Sequence, residues 1–299
     1  MKIAVCSDLH LEFGMIELKN TEEADVLVLS GDILIADDFD REIPDFNPYA
    51  SGAVEKMSHR TRNAIKYMDF LKQISSEFPH VIVIAGNHEF YNGKWVKSLS
   101  ILRELYARHD NIHFLEDEIF KLDDVTFVGA TLWTDMNKVD PLTLHAVGDM
   151  MNDFRIIRND EHGYTKLRAA HAVHRHRKSL GYIKQVVSEK HDEKFVIVGH
   201  HAPSVLSISE DYKNEYLMNG AYYSDLSEFI LDRPQIKLWT CGHVHHQHWY
   251  YMGDTLVACN PRGYPNERPD YANFKCLVID LDDMPTNELV SNNYNHSII

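Results

Sequence analysis

Cysteine is scarce in this 299-residue sequence, and the few cysteines lie far apart. Cys6, Cys241, Cys259 and Cys276 form no C-x-x-C pair. Disulfide frameworks and thiolate zinc sites are usually marked by closely spaced cysteines, so the sequence predicts neither. We expect reduced thiols that are mostly buried.

A long apolar run is also missing. The N-terminal stretch MKIAVCSDLH contains a single lysine and no apolar segment of signal-peptide length. Nothing elsewhere approaches the roughly 18 consecutive apolar residues that a membrane helix needs. We therefore expect a soluble, cytoplasmic protein with no membrane partner.

Positively charged residues are also few. The sequence has 30 lysines and arginines but 45 aspartates and glutamates, which gives a formal net charge of -15. Nucleic-acid binding relies on cationic side chains that neutralise phosphates, so this balance argues against a nucleic-acid partner. The apolar share of 44% is ordinary and allows one large α/β domain. The oligomeric state stays open.

Apolar runs of strand length alternate with helix-period stretches in the first half of the chain, which indicates layered α/β architecture. Without a repeat or a linker, we expect a single domain over residues 1–299, with lid insertions at residues 34–51 and 134–164. The predicted helices cover residues 52–78, 94–108 and 165–190. The predicted strands cover residues 3–6, 26–30, 81–85, 125–130, 195–198, 237–241, 255–258 and 275–281.

Polar side chains follow five of these strands at the point where each strand ends. The carboxyl ends of strands line the functional crevice of α/β sheets, so we expect the five groups to converge. A glycine stands directly before four of the five groups and permits a tight turn. The side chains are Asp8 and His10, Asp32, Asn87 and His88, His200, and His243 and His245.

Carboxylate, amide and imidazole groups are suitable ligands for Mn, Fe, Zn or Ni, and the lack of cysteine among them argues against a structural zinc site. Two such ions about 3.5–4 Å apart need a bridging carboxylate and would stabilise both the attacking and the leaving oxygen of an in-line displacement. The pattern therefore favours two divalent metal ions and phosphoester chemistry.

In combination, the motifs DLH, GD, GNHE, GHH and GHVH resemble those of the calcineurin-like metallophosphoesterase superfamily. The resemblance implies a four-layer α/β/β/α sandwich of two mixed sheets flanked by helices. It also implies two metal sites that share Asp32 as a bridge. One site would add Asp8, His10 and His245, and the other would add Asn87, His200 and His243.

The resemblance gives His88 a catalytic role. It would not bind metal but would face the phosphate, where it stabilises developing charge or protonates the leaving oxygen. The implied nucleophile is a hydroxide that bridges the two ions, because bound metal lowers the pKa of water toward ~7.

Differences from the superfamily motifs indicate which subgroup of the superfamily the sequence resembles. The Ser/Thr protein phosphatases carry GDxxDRG and an arginine just before GNHE, whereas here Ile35 replaces the aspartate that pairs with the catalytic histidine, and both arginines are missing. DNA-repair nucleases usually read GNHD. We expect a small phosphodiester or nucleotide-like substrate. The alternatives are a phosphomonoesterase or protein phosphatase and, from another class, a non-catalytic metal-binding scaffold.

Several further side chains have two interpretations each. Arg155 and Arg262 would bind the phosphate or form structural salt bridges. His201 and Glu89 would support the ligands, Glu89 by capping the helix after Asn92, although a turn histidine is an equal interpretation of His201. Residues 171–177 would form a solvated basic helix face rather than a metal site. Core packing is the favoured role, over stacking on a substrate ring, for Phe90, Tyr91, Trp133, Tyr222 and Tyr223.

Overall fold

The computed structural model describes residues 1–39, 57–163, 165–189 and 193–284, and the apolar runs within them form two large β-sheets. The strands are β1 (Lys2–Cys6), β2 (Val26–Leu29), β3 (His80–Val83), β4 (Ile112–Phe114), β5 (Glu118–Leu122), β6 (Val125–Gly129), β7 (Arg158–Asn159), β8 (Thr165–Lys166), β9 (Lys194–Val198), β10 (Ile236–Cys241), β11 (His248–Met252), β12 (Thr255–Cys259) and β13 (Leu277–Asp280).

The first sheet has the strand order β13-β1-β2-β3-β4, and the second has the order β11-β12-β10-β9-β6-β5. Strands β1 to β4 pair in parallel, as do β6, β9, β10 and β12. Antiparallel strands complete the edges, with β13 on the first sheet and β5 and β11 on the second. Both sheets are therefore mixed, as expected. Strands β7 and β8 form a separate small ribbon.

The helices are α1 (His59–Glu77), α2 (Trp95–Tyr106), α3 (Met136–Val139), α4 (Pro141–Met150), α5 (Asp153–Ile156), α6 (Ala169–Glu189), α7 (Tyr216–Asn219) and α8 (Ser227–Leu231). Local chemistry explains several starts. The Ser58 side chain accepts a hydrogen bond from the Thr61 amide at the start of α1, and Asp140 caps α4 ahead of Pro141. Within the part of the chain described, no helix combines the length and apolarity that a membrane span requires.

Three apolar layers hold the sheets and helices together. Between the sheets, side chains such as Val5, Val28 and Val198 form a buried cluster. The opposite face of the first sheet packs with Tyr67 and Leu71 of α1 and with Leu102 of α2. The opposite face of the second sheet packs with residues of α6 and α8. Because each sheet is apolar on both faces, helices cover the outer faces, and the expected four-layer α/β/β/α sandwich is confirmed.

All eight strands expected from the sequence are present. Five described strands were not expected: the ribbon strands β7 and β8, and the three strands β4, β5 and β11 of the large sheets. These three are edge strands of their sheets. An edge strand such as β5 buries one face only, so its residues alternate between partly buried and exposed and form no continuous apolar run. These strands were therefore too short or too polar to be predicted from apolar runs in the sequence.

The segment over residues 134–164 was expected to be a lid loop. Its described part contains α4, α5 and the one-turn element α3, whose four residues all have positive φ angles and so form a left-handed turn. Of the other predicted lid, residues 40–51 lie outside the described part of the chain. The single-domain organisation and the lid roles stay predictions.

The expectation of a solvated basic face on α6 is wrong for one of its histidines. His176 is buried, and its Nδ1 lies 3.1 Å from the Leu132 carbonyl oxygen. Burial lowers the pKa of this imidazole. His176 therefore joins the helix to the loop after β6.

Candidate metal centre

The strand ends of both sheets bring eight polar side chains together, as expected from their positions after the strands. Seven are buried and the eighth, His245, is partly exposed. We call this set the polar cluster: Asp8, His10, Asp32, Asn87, His88, His200, His243 and His245.

One half of the polar cluster is formed by Asp8, His10 and His245, with a ligand atom of each within 4.8 Å of the others. The Nε2 atoms of His10 and His245 are 3.1 Å apart. His245 Nε2 is also 3.4 Å from Asp8 Oδ1. Two ring nitrogens and a carboxylate oxygen therefore point at one small volume.

The other half is formed by Asp32, His200 and His243, again with ligand atoms within 4.8 Å of one another. Asn87 joins it, because its Oδ1 lies 3.0 Å from His200 Nε2 and 3.0 Å from His243 Nδ1. Asp32 lies between the halves, with Oδ1 3.5 Å from His200 and Oδ2 3.8 Å from His10.

The hydrogen bonds around these imidazoles fit metal ligands. The Nδ1 atom of His200 is 2.8 Å from the Ser30 carbonyl oxygen, and that of His245 is 2.7 Å from Glu267. A metal-binding histidine typically donates its second ring N–H to such an oxygen, which directs the other nitrogen to the ion. Moreover, His243 Nε2 is buried and has no hydrogen-bond partner among the described residues. The donor set therefore suits divalent cations.

Backbone strain is concentrated at the same residues. Asp8, His10, Asp32, His243 and His245 have φ angles of 50°, 45°, 56°, 66° and 46°. Left-handed conformations cost non-glycine residues roughly 1–2 kcal/mol each, and such strain tends to accumulate at functional sites.

Close approach explains the neighbouring glycines. A Cβ atom on Gly86 would lie 2.1 Å from Asp32 Oδ1, and one on Gly242 would lie 2.6 Å from Asp8 Oδ2. A side chain at either position would therefore displace a carboxylate of the polar cluster.

Opposite charges stabilise the ionised forms inside the polar cluster. Burial favours a neutral Asp32, but the nearby histidines, His200 foremost, outweigh it and hold the pKa well below the usual range. Burial also disfavours charged imidazoles, yet Asp32 raises the pKa of His200 to about 9, and Asp8 and Glu267 raise that of His245 to about 10. The cluster thus has a strong field that favours cations.

His88 is oriented on both ring nitrogens. Its Nδ1 is 2.9 Å from Glu12 Oε1, its Nε2 is 3.0 Å from the Tyr264 hydroxyl, and its ring stacks on Tyr91 at 4.0 Å. Burial lowers the pKa of His88, but Asp32 and Glu12 outweigh it and raise the pKa overall. The His88 side chain is therefore held in one orientation, and its protonated form is favoured.

Beside the polar cluster lies a cavity of about 490 Å³, which Asp32, Asn87, His88, His243 and His245 line at one end. We call the remaining lining residues the wall: Tyr91, Met150, Met151, Asn152, Asp153, Ile208, Ser209, Tyr212, Glu215, Met218, Asn219, Tyr222, Val244, Tyr264 and Glu267. Among the described residues, no lysine or arginine lines this cavity, whereas three of the wall residues are acidic.

The model of one protein family, described as calcineurin-like phosphoesterase, matches residues 1–247. The chain belongs to the calcineurin-like phosphoesterase family. The resemblance found in the motifs is thereby confirmed, and the chain is a metal-dependent phosphoester hydrolase by family.

Several known proteins resemble this chain in sequence or in fold. An uncharacterized protein of Acanthamoeba polyphaga mimivirus is 28% identical over 226 residues, 71% of this chain and 78% of that protein. A phosphopantetheinyl hydrolase from Mycobacterium tuberculosis is 13% identical, with a TM-score of 0.61 over 95% of this chain and 98% of that one. A putative 5'-nucleotidase from Staphylococcus aureus is 14% identical, with a TM-score of 0.45 over 98% of this chain and 57% of that one. At 13% identity, the match to the phosphopantetheinyl hydrolase shows a shared fold only.

Neither arginine proposed for phosphate binding reaches the cavity of this calcineurin-like phosphoesterase. Arg155 is exposed and donates to the backbone oxygen of Asp149. Arg262 is 2% exposed and donates to the backbone oxygens of Leu9, Gly14, Met15 and Tyr271. Arg262 therefore stabilises the loop that carries His10. Its partners are backbone carbonyl oxygens, so it does not form the salt bridge that was the alternative prediction.

Three contacts of the calcineurin-like phosphoesterase site were missed. Sequence reasoning looked for the carboxylate partner of His88 at Ile35 and found none, but the structure supplies Glu12 from the loop after β1. Tyr264 and Glu267 lie just after the singled-out Arg262, yet nothing in their local pattern pointed to His88 or His245. The spacing of residues in the sequence does not show which distant segments contact each other.

The prediction for Glu89 is partly confirmed and partly wrong. Glu89 is buried and accepts hydrogen bonds from the amides of Asp32, Ile33, Leu34 and Gly86. It thus supports the Asp32 turn, but the idea that it caps the next helix is wrong.

His201 also supports the cluster. It is buried with its ring 4.4 Å from that of His243, and burial together with His200 lowers its pKa to about 3. A neutral His201 can pack on His243 without adding positive charge.

The five aromatic residues that were expected to be core residues lie in two kinds of position. Phe90 and Trp133 are buried core residues, as favoured, and Tyr223 is partly buried. Tyr91 and Tyr222 instead line the cavity.

Proposed function

We propose that this calcineurin-like phosphoesterase hydrolyses small phosphodiesters whose second substituent is neutral or cationic, with two divalent metal ions in the polar cluster. Asp8, His10 and His245 would hold one ion, with Asp32 between the two. Asn87, His200 and His243 would hold the other. The ions would activate the attacking water and neutralise charge on the phosphate.

The roles of the protein's own groups follow from their contacts. Glu12 orients His88 through Nδ1 and favours its protonated form, so that Nε2–H can donate toward the cavity. There it stabilises charge on the phosphoryl oxygens or gives its proton to the leaving oxygen. The Tyr264 hydroxyl holds Nε2 until a substrate oxygen replaces it.

The observation that carries the choice of a diester is the absence of lysine and arginine from the described lining. A phosphomonoester carries about −1.5 to −2 charges at pH 7, which proteins usually bind with arginine or lysine. A diester carries a single charge, which two metal ions and His88 are enough to balance. The tyrosine and methionine wall offers apolar contacts for the second substituent, and its carboxylates disfavour an anionic one.

The test compares bis-p-nitrophenyl phosphate with p-nitrophenyl phosphate, using the full chain and added Mn²⁺. We expect kcat/KM for the diester to exceed that for the monoester by at least about tenfold, the equivalent of one missing charge contact of about 1.4 kcal/mol. Preference for the monoester, or efficient phosphate release from a phosphopeptide, would replace this proposal with the phosphomonoesterase or protein phosphatase alternative. No turnover of either compound would favour the non-catalytic scaffold.

The cellular setting also remains a proposal. The acidic charge supports a small-molecule substrate over nucleic acid, and we propose a cytoplasmic location on the sequence features alone. Fractionation of cells that express the full chain tests the location directly.

A further inference from the structure

Three potential metal ligands outside the polar cluster meet on the second sheet. Cys241 ends β10, Cys259 ends β12 and His248 begins β11. In the strand register, Cys241 is opposite Cys259, and Cys259 is opposite His248. Paired residues of neighbouring strands project to the same face, so the three side chains converge. One ligand atom of each lies within 4.8 Å of the others.

The imidazole of His248 has the hydrogen bonding of a metal ligand. Its Nδ1 is 2.8 Å from the backbone oxygen of His246, so Nδ1–H donates to that oxygen and Nε2 is the nitrogen left for a metal ion. Nε2 is buried and has no hydrogen-bond partner among the described residues, and His248 is only 4% exposed. The groups close to it are the two thiols, which are weak hydrogen-bond donors, so a metal ion would satisfy this nitrogen better.

We propose that Cys241, Cys259 and His248 bind a zinc ion, separate from the two metals of the polar cluster. Two thiolates and one imidazole are typical zinc ligands, and a water molecule would complete the tetrahedron. Binding releases one proton from each thiol. The two thiolate charges then neutralise Zn²⁺, so the buried complex carries no net charge, and both cysteines are 0% exposed.

The site lies directly beside the strand end that leads into the polar cluster. Cys241 directly precedes Gly242 and stands two residues before His243. The ion would join the ends of β10, β11 and β12 at the point where β10 leads into His243 and His245. It would thereby hold two residues of the polar cluster in their strained backbone conformations.

The competing explanation is that the two thiols are small apolar core residues that also contact the ring. Cobalt distinguishes the two cases, because Co²⁺ replaces zinc and shows sulfur-to-metal charge-transfer absorption only when thiolates bind it. The polar cluster contains no sulfur, so cobalt there cannot produce this absorption.

The experiment titrates the metal-free full chain with Co²⁺ and records the near-ultraviolet spectrum. In the wild type and in Cys276→Ser, a cysteine outside the site, we expect the thiolate absorption to saturate by about three equivalents, since the polar cluster can bind two of them. It should be lost in Cys259→Ser and weakened in His248→Ala. After dialysis with zinc, Cys259→Ser should hold one zinc ion fewer than the wild type.

Wild-type protein that saturates with cobalt without thiolate absorption would overturn the proposal, and this result needs no variant to fold. Full absorption in Cys259→Ser would also overturn it. Neither readout uses hydrolysis, so failure here is distinct from failure of the proposed activity.

Discussion

The polar cluster and the wall enclose the same cavity, but they are built in different ways. The cluster residues stand at strand ends, and all but His245 are buried. The wall comes largely from loops and short helices, and it includes Met150 and Tyr212, which are 61% and 64% exposed. In the proposed reaction, the buried part would hold the groups for chemistry, while the more exposed part would contact the rest of the substrate. Substitutions in the two parts should therefore differ in size and in kind.

The largest effect is expected from Asp32→Asn, because this carboxylate lies between both halves of the polar cluster. Activity should fall by more than the roughly 10³-fold that loss of a single transition-state donor causes. Bound metal, measured by elemental analysis, should drop from two ions to one or none. Asp232→Asn, an exposed aspartate after α8, is the control and should change neither value. Two ions retained in Asp32→Asn would show that Asp32 is no bridge.

His88→Ala should lower kcat by about 10²–10³-fold, since it removes one donor or proton source from the transition state. Both metal ions should remain, because His88 is not among the proposed ligands. The matched control is His145→Ala, an exposed histidine of α4 whose side chain is 80% accessible. Undiminished turnover would exclude His88 from the reaction.

Glu12→Gln should lower kcat by about 10–100-fold, as loss of a carboxylate that orients a functional histidine typically does. Since Glu12 contacts both His88 and His10, metal content must be measured alongside. Glu17→Gln, on the same loop and 66% exposed, is the control. Rescue of kcat by Glu12→Asp would assign the effect to the lost charge. Full activity with glutamine would mean that orientation alone is sufficient.

The smallest effect is expected from the wall, where Glu215→Arg reverses an exposed charge. Two p-nitrophenyl diesters are compared, one with a choline and one with a carboxylate-bearing second substituent. The ratio of their kcat/KM values should shift toward the anionic compound by about 3–10-fold, since solvent screens an exposed charge. Glu104→Arg on α2 changes net charge equally and should leave the ratio unchanged. An equal shift in both variants would mean that overall charge, rather than the wall, sets the preference.

Residue order predicted the polar cluster well because its members depend on local features. Asp8, Asp32, Asn87 and His200 each follow a buried parallel strand, and a parallel sheet brings such positions to one edge. The same logic failed for Glu12 and Tyr264, which meet His88 across segments far apart in the chain. Their roles depend on how loops fold back over the edge, and no periodicity records that.

The cysteines show the same division. Their spacing predicted no thiolate metal site, because Cys241 and Cys259 are 18 positions apart (259 minus 241). Pairing of β10 with β12 then places them opposite each other, with His248 alongside. Strand register, rather than motif spacing, creates this candidate site.

The amino-acid sequence by itself determined the α/β alternation and the strand-end positions of the proposed metal ligands, since buried strands and strand-end glycines are local properties of the chain. The two-sheet sandwich was implied by the resemblance of the motifs to a family. Only the tertiary structure decided the partner of His88, the absence of lysine and arginine from the described cavity lining, and the positions of Arg155 and Arg262 outside that lining. The physical reason is distance. Hydrogen bonds and charge contacts depend on a few ångströms between atoms, and packing of separated segments sets those distances.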